Sequence, residues 1–361
     1  MRNIRLFQTA SDFNSAYTGD EYIEPWFSYT RETSTIAFNK VPIPPSAMPL
    51  TFEILSSGNL VWLTDNGEGS PSGGNGKVIE YSLNGGPWTS ISSSGEGTSI
   101  AVVSGDTVQF RGDNETYAES DDETGDAYYS RFALSTCDYN VLGNIMSLID
   151  SVDFKYLTEM PSMTQNSFGT FSFFFGGWFD AETYDEVPNT HLISAENLVL
   201  PATALSENCY NSMFFYCANL TTAPELPATT LADGCYSDMF YYCVSLTTAP
   251  ALPATALTNS CYSEMFYGCT GLTTAPELPA TTLTNSCYNS MFWNCTNLNY
   301  IKCLAINKSA THCTYKWVDG VQTNSGTFVR NENSNWTIDD SDGIPSGWDV
   351  IPPIEPEPEI N

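Results

Sequence analysis

Two features of this chain invite chemistry: eleven cysteines, and 42 acidic residues set against 12 basic ones. Most of the cysteines recur at one interval. Cys209, Cys235, Cys261, Cys287 and Cys313 stand 26 apart, and Cys217, Cys243, Cys269 and Cys295 keep the same step. Such a set raises disulfide, metal and nucleophile chemistry in turn. Zinc wants tighter ligand spacing or histidine, and the only histidines are His191 and His312. If Cys209 to Cys217 is helical, its ends lie about 12 Å apart along the axis, beyond the roughly 7 Å between Cα atoms that a disulfide spans. An unbroken ladder of like positions reads better as small side chains filling a narrow core, with free thiols suited to a reducing compartment. Acid, base and nucleophile do not converge anywhere in the pattern, so the expectation is a protein without catalytic residues, cofactor or metal.

The carboxylates exclude more than they propose. A formal charge of −30 repels phosphate-rich partners, which argues against nucleic acid and anionic membrane and for colloidal solubility. Asp113 to Asp126 gathers seven carboxylates, open to calcium but lacking EF-hand spacing, so a solvated loop is the plainer reading. Arg111-Gly112-Asp113 is a three-letter match at a strand end and reads as chance. The opening residues 1–22 hold no apolar run of signal-peptide length, and "FSFFFGGWF", Phe171 to Phe179, is about half a membrane span. Neither export through a leader nor membrane insertion is expected.

The elements that must position these residues fall into four stretches. Residues 1–48 are aromatic and then proline-rich, with Tyr22, Trp26, Phe27 and Tyr29 as candidate attachment residues before a stiff linker. Residues 49–138 alternate short β-prone runs with Gly- and Asn-rich turns, the punctuation of an antiparallel, immunoglobulin-like β-sandwich. From 139 a helix-like segment leads into repeats that run to about 350, and 351–361 is a Pro/Glu tail of disordered character. A fixed period of 26 marks a solenoid whose units bury their apolar faces on one another. Within a unit, Cys209, Met213 and Cys217 sit at i, i+4 and i+8, one face of a helical segment. The same face recurs as Cys235, Met239, Cys243; as Cys261, Met265, Cys269; and as Cys287, Met291, Cys295. Trp317 stands where methionine belongs in the last half-unit and reads as a cap. The expected class is therefore mixed α+β.

Two residues before each second cysteine comes an aromatic: Phe215, Tyr241, Tyr267 and Trp293. Lying opposite the buried face, these rings should look outward at about 4.7–5 Å per rung if strand-like stacking sets the step. They form either a surface for sugar or protein, or a contact with another subunit or the upstream domain.

The units "LTTAPELPATTLTNSCYNSMFWNCTNL" and the exit from Asn299 to Trp348 resemble BspA-like leucine-rich-repeat proteins of gut bacteria and their bacteriophages. The opening "FQTASDFNSAYTGDEYIEPWFSYT" is similar to the beginnings of gut-phage structural proteins, including those of crAss-like phages. The resemblance implies a non-enzymatic virion fibre or tail-appendage protein, assembled in the host cytoplasm, anchored by its N-terminal segment to capsid or tail. It further implies a homo-oligomer, a trimer by analogy, whose repeats bind glycans or proteins of the host surface or mucus. The alternative it leaves is an exported bacterial surface adhesin.

Overall fold

The computed structural model describes residues 28–29, 36–37, 43–67, 76–120, 127–162, 169–179, 186–322 and 324–352. Tyr22, Trp26 and Phe27 lie outside these, as does most of the 351–361 tail. Tyr29 belongs to a two-stranded antiparallel pair, β1 (Ser28–Tyr29) with β2 (Ile36–Ala37).

The mixed α+β class is wrong. Among the described residues there is no α-helix, only three short 3-10 turns at Pro45–Ala47, Ile145–Leu148 and Phe154–Tyr156; the chain is nearly all β. The helix-like segment after Tyr139 is instead a strand followed by the second of these turns.

Strands β3 (Leu50–Ile54), β4 (Gly58–Asp65), β5 (Val78–Leu83), β6 (Thr89–Ser92), β7 (Thr98–Val102), β8 (Thr107–Arg111), β9 (Ala118–Ser120), β10 (Ala127–Phe132) and β11 (Tyr139–Asn144) form two sheets. One has the order β7-β4-β10-β9, and the other contains β11-β3-β8-β5-β6, antiparallel throughout this part. Alternating apolar residues meet between them: Phe132 of one sheet lies 4.6 Å from Phe52 and 4.7 Å from Phe110 of the other. The proline-rich approach is tied to this body, since the Asn144 amide donates to the Met48 carbonyl and Asn144 Nδ2 to that of Ser46.

The second sheet continues past the 138/139 boundary. β11 pairs in parallel with β14 (Leu192–Val199), the strand that enters the repeats, so one apolar core runs from Leu50 to Trp348. Between them, β12 (Trp178–Phe179) and β13 (Glu186–Val187) make a short hairpin. At the far end β15 (Tyr300–Cys303), β16 (Thr327–Arg330) and β17 (Asp349–Ile351) form a parallel sheet. Its neighbour Trp317 is fully buried against Tyr288, Phe292 and Trp336, with Nε1 donating to the Gly343 carbonyl.

The segment Cys209–Cys217 is a ribbon of overlapping turns. Amides of Cys209, Asn211, Met213, Phe215 and Cys217 bond back to carbonyls three residues earlier, whereas those of Tyr210, Ser212, Phe214 and Tyr216 bond to Cys235, Ser237, Met239 and Tyr241 of the next unit. Half the amides thus point along the stack, which an α-helix, bonding every amide within itself, does not allow. Turning them outward requires a left-handed residue at every fourth position: Asn208, Ser212 and Tyr216, then Gly234, Asp238 and Tyr242, and so on to Gly320. Gly169 to Gly177 supplies the first rung, with Phe171, Phe173 and Phe175 amides bonding to Cys209, Asn211 and Met213.

Candidate binding surface

A period of four places every first residue of the ribbon on one side. Cys209, Met213 and Cys217 are fully buried, as are Cys235, Met239, Cys243, Cys261, Met265, Cys269, Cys287, Met291 and Cys295. All eleven cysteines are unpaired and internal, and among the described residues no three metal-binding side chains cluster. Burial pushes the thiols up, Cys209 to about 12 and Cys287 to about 11, so none is a thiolate near neutral pH. The second column also has a bonding role that composition did not reveal. Cys217, Cys243, Cys269 and Cys295 each donate Sγ–H to a phenylalanine carbonyl of the preceding rung, at 3.0–3.2 Å. Serine, with a shorter reach to the acceptor, and alanine, with no donor, are both poorer fits.

Rings form three columns. Tyr210, Tyr236, Tyr262 and Tyr288 stack internally at 5.8–6.2 Å, beside Phe214, Phe240, Phe266 and Phe292 at 5.4–5.8 Å. The third column is Phe215, Tyr241, Tyr267 and Trp293, with centroids 4.8, 4.6 and 5.0 Å apart. It is less open than its position opposite the methionines suggests. Phe215 is 5% exposed beneath Phe173, and the other three are half-buried.

Stacking also decides how this surface can bind. Phe215, Tyr241 and Tyr267 lie within 12–19° of parallel, so each covers its neighbour's face and offers solvent an edge. Trp293 tilts by 54° at the end of the column, and Lys316 Nζ sits 4.2 Å from its centroid. Tyr216 and Tyr242 flank the column 5.1 Å apart, and Tyr242 touches both Tyr241 and Tyr267. The surface is a ridge of ring edges and polar tips, fitted to hydrogen bonding and shape more than to a sugar lying flat across the column.

Carboxylates stand on successive left-handed positions next to it. Asp238 bonds through its amide to the Ser263 carbonyl in the adjacent rung, one residue before Glu264. Burial first, and then the Glu264 charge, raise Asp238 to about 7, and burial also raises Glu264.

The other sequence candidates are absorbed by the fold. Arg111 pairs with Glu80 at 2.7 Å and lies over Trp88, and Asp113 accepts from the amide and hydroxyl of Ser151. The acidic run continues through 121–126, outside the described residues. Among the described residues no helix is long and apolar enough to cross a membrane. Comparisons with protein-family models, curated proteins and solved structures find no match to the chain.

Proposed function

We propose that this chain is a binding protein displayed on a bacteriophage particle as a fibre or tail appendage. Residues 1–48 attach it to capsid or tail, the paired sheets hold the repeats away from the particle, and the ridge of ring edges engages glycan or protein of the host surface or mucus. It works as a homo-oligomer and carries no catalytic centre. The observation that supports binding most is the ladder itself: rings in register at 4.6–5.0 Å, edges at the surface, flanked by Tyr216, Tyr242, Asp238, Glu264 and Lys316. Such a row is ordered before any ligand arrives, so little side-chain entropy is left to lose on binding. The placement on a virion rests on the sequence resemblance.

Immunogold labelling of purified particles and of uninfected cells tests the placement. Label on particles is expected; label confined to cell envelopes would reject it in favour of an exported adhesin. Binding of the purified chain to host cells, with and without Tyr241→Ala plus Tyr267→Ala, tests the surface. Reduced binding by a folded double variant is expected, and unchanged binding would remove the ridge from the proposal.

A further inference from the structure

Where the β10–β11 loop faces the strands that lead into the repeats, a cleft of about 340 Å³ opens between Leu134, Ser135, Trp178, Thr190 and His191. We infer that it is a second binding site, separate from the ridge, for one neutral pyranose ring. The volume lies at the small end of the roughly 300–1,000 Å³ typical of small-molecule pockets, which suits a single ring. Trp178 is half-buried and lines the cleft as an apolar surface, while the exposed Thr190 and the His191 imidazole supply polar groups beside it; the Ser135 hydroxyl is engaged by the Val61 amide. That pairing of an aromatic surface with convergent polar groups matches the two sides of a sugar. His191 Nδ1 is held by Asp138 Oδ1 at 2.8 Å, which fixes the ring and leaves Nε2 for a ligand hydroxyl. Among the described residues no lysine or arginine lines the cleft, and the chain carries −30 charges, so an anionic sugar is disfavoured.

Two further observations mark the cleft as built. Its far wall is backbone fixed by a costly network: the fully buried Arg131 pairs with Asp65 at 2.8 Å and donates to the carbonyls of Gly176 and Gly177 at 3.1 and 2.7 Å. On the near wall, Leu134 holds φ 56 outside the ribbons, where no stacking rung demands it. A bulky residue left in that region costs about 1–2 kcal/mol and is a mark of sites more than of scaffolding.

Saturation-transfer difference NMR on the full chain, using methyl glucoside, galactoside, mannoside and N-acetylglucosaminide as probes, reads binding directly. Transfer to at least one probe is expected, weakened about tenfold or more by Trp178→Ala and several-fold by Thr190→Val, and unchanged by Tyr241→Ala plus Tyr267→Ala. Thr190→Val removes only an exposed hydroxyl, so it keeps the test open should Trp178→Ala disturb the hairpin. No transfer to any probe, or transfer indifferent to both cleft variants, overturns the site. Signal lost only in the ridge variant overturns the cleft while leaving the ridge reading standing.

Discussion

Gly268 carries a sharp consequence of the ribbon geometry. It occupies a left-handed position, φ +69, whose non-glycine equivalents in other rungs are Tyr216, Tyr242 and Asn294 at φ 56, 52 and 58. An alanine therefore keeps the backbone as it is. Its left-handed cost of about 1–2 kcal/mol is partly offset by roughly 0.5–1 kcal/mol of lost unfolded-state freedom. What alanine does not have is room, because its Cβ would lie 2.9–3.0 Å from the Tyr242 ring. The ring must swing aside and loosen its contacts with Tyr241 at 5.1 Å and Tyr267 at 5.4 Å. Aromatic pairs of this kind are worth about 0.5–1.5 kcal/mol each. Gly268→Ala is thus expected to cost about 1–3 kcal/mol in the native chain and about 0–1.5 kcal/mol when Tyr242 is already alanine, a coupling of about 1–2 kcal/mol. Urea unfolding of the four members of that cycle measures it. Equal costs in both backgrounds, or a stabilised single variant, would refute the idea that Tyr242 lies across Gly268.

Three other outcomes follow from the same packing. Ellman's reagent should find almost no reactive thiol in the folded chain and all eleven after denaturation; fewer in the denatured, unreduced chain would mean disulfides. Because Asp238 is raised in the folded state, the native chain holds more protons than the unfolded one between about pH 4 and 7, so its contribution to stability falls as pH rises through that window. Asp238 is partly exposed, which trims the effect to about 1–2 kcal/mol; Asp238→Asn should flatten that slope, and an unchanged slope would contradict the assignment. Trp317→Ala empties the fully buried end of the stack and is expected to cost about 3–5 kcal/mol, with hydrogen exchange rising first in the last rung. Uniform loss of protection along the repeats would argue against a stack that opens from its cap.

The repeats were legible in the sequence because a 26-residue period leaves little choice but mutual burial, and the rung spacing follows from backbone bonding alone. The local conformation was not. Residues at i, i+4 and i+8 share a face in an α-helix and in a four-residue ribbon alike, so Cys209, Met213 and Cys217 point inward under either reading. A discriminating signal existed: ten of the fifteen left-handed ribbon positions, from Asn208 to Gly320 and outside the Gly169–Gly177 rung, are Gly, Asn, Asp or Ser, the types that tolerate that region or favour turns. The ridge was legible as a row of rings but not in its presentation, since nothing in the spacing says that Phe173 covers Phe215. Neither the parallel pairing of β11 with β14 nor the meeting of His191 with Asp138 could be read, because each joins segments some fifty residues apart through tertiary contact only.

An experimental density map of residues 206–295 at atomic detail bears most directly on the whole account. It should show the Tyr236 amide bonded to the Cys261 carbonyl, positive φ at Asp238 and Tyr242, and every sulfur unbridged inside the stack. Amides bonded four residues back within one unit, or sulfurs joined or metal-bound at the exterior, would contradict it.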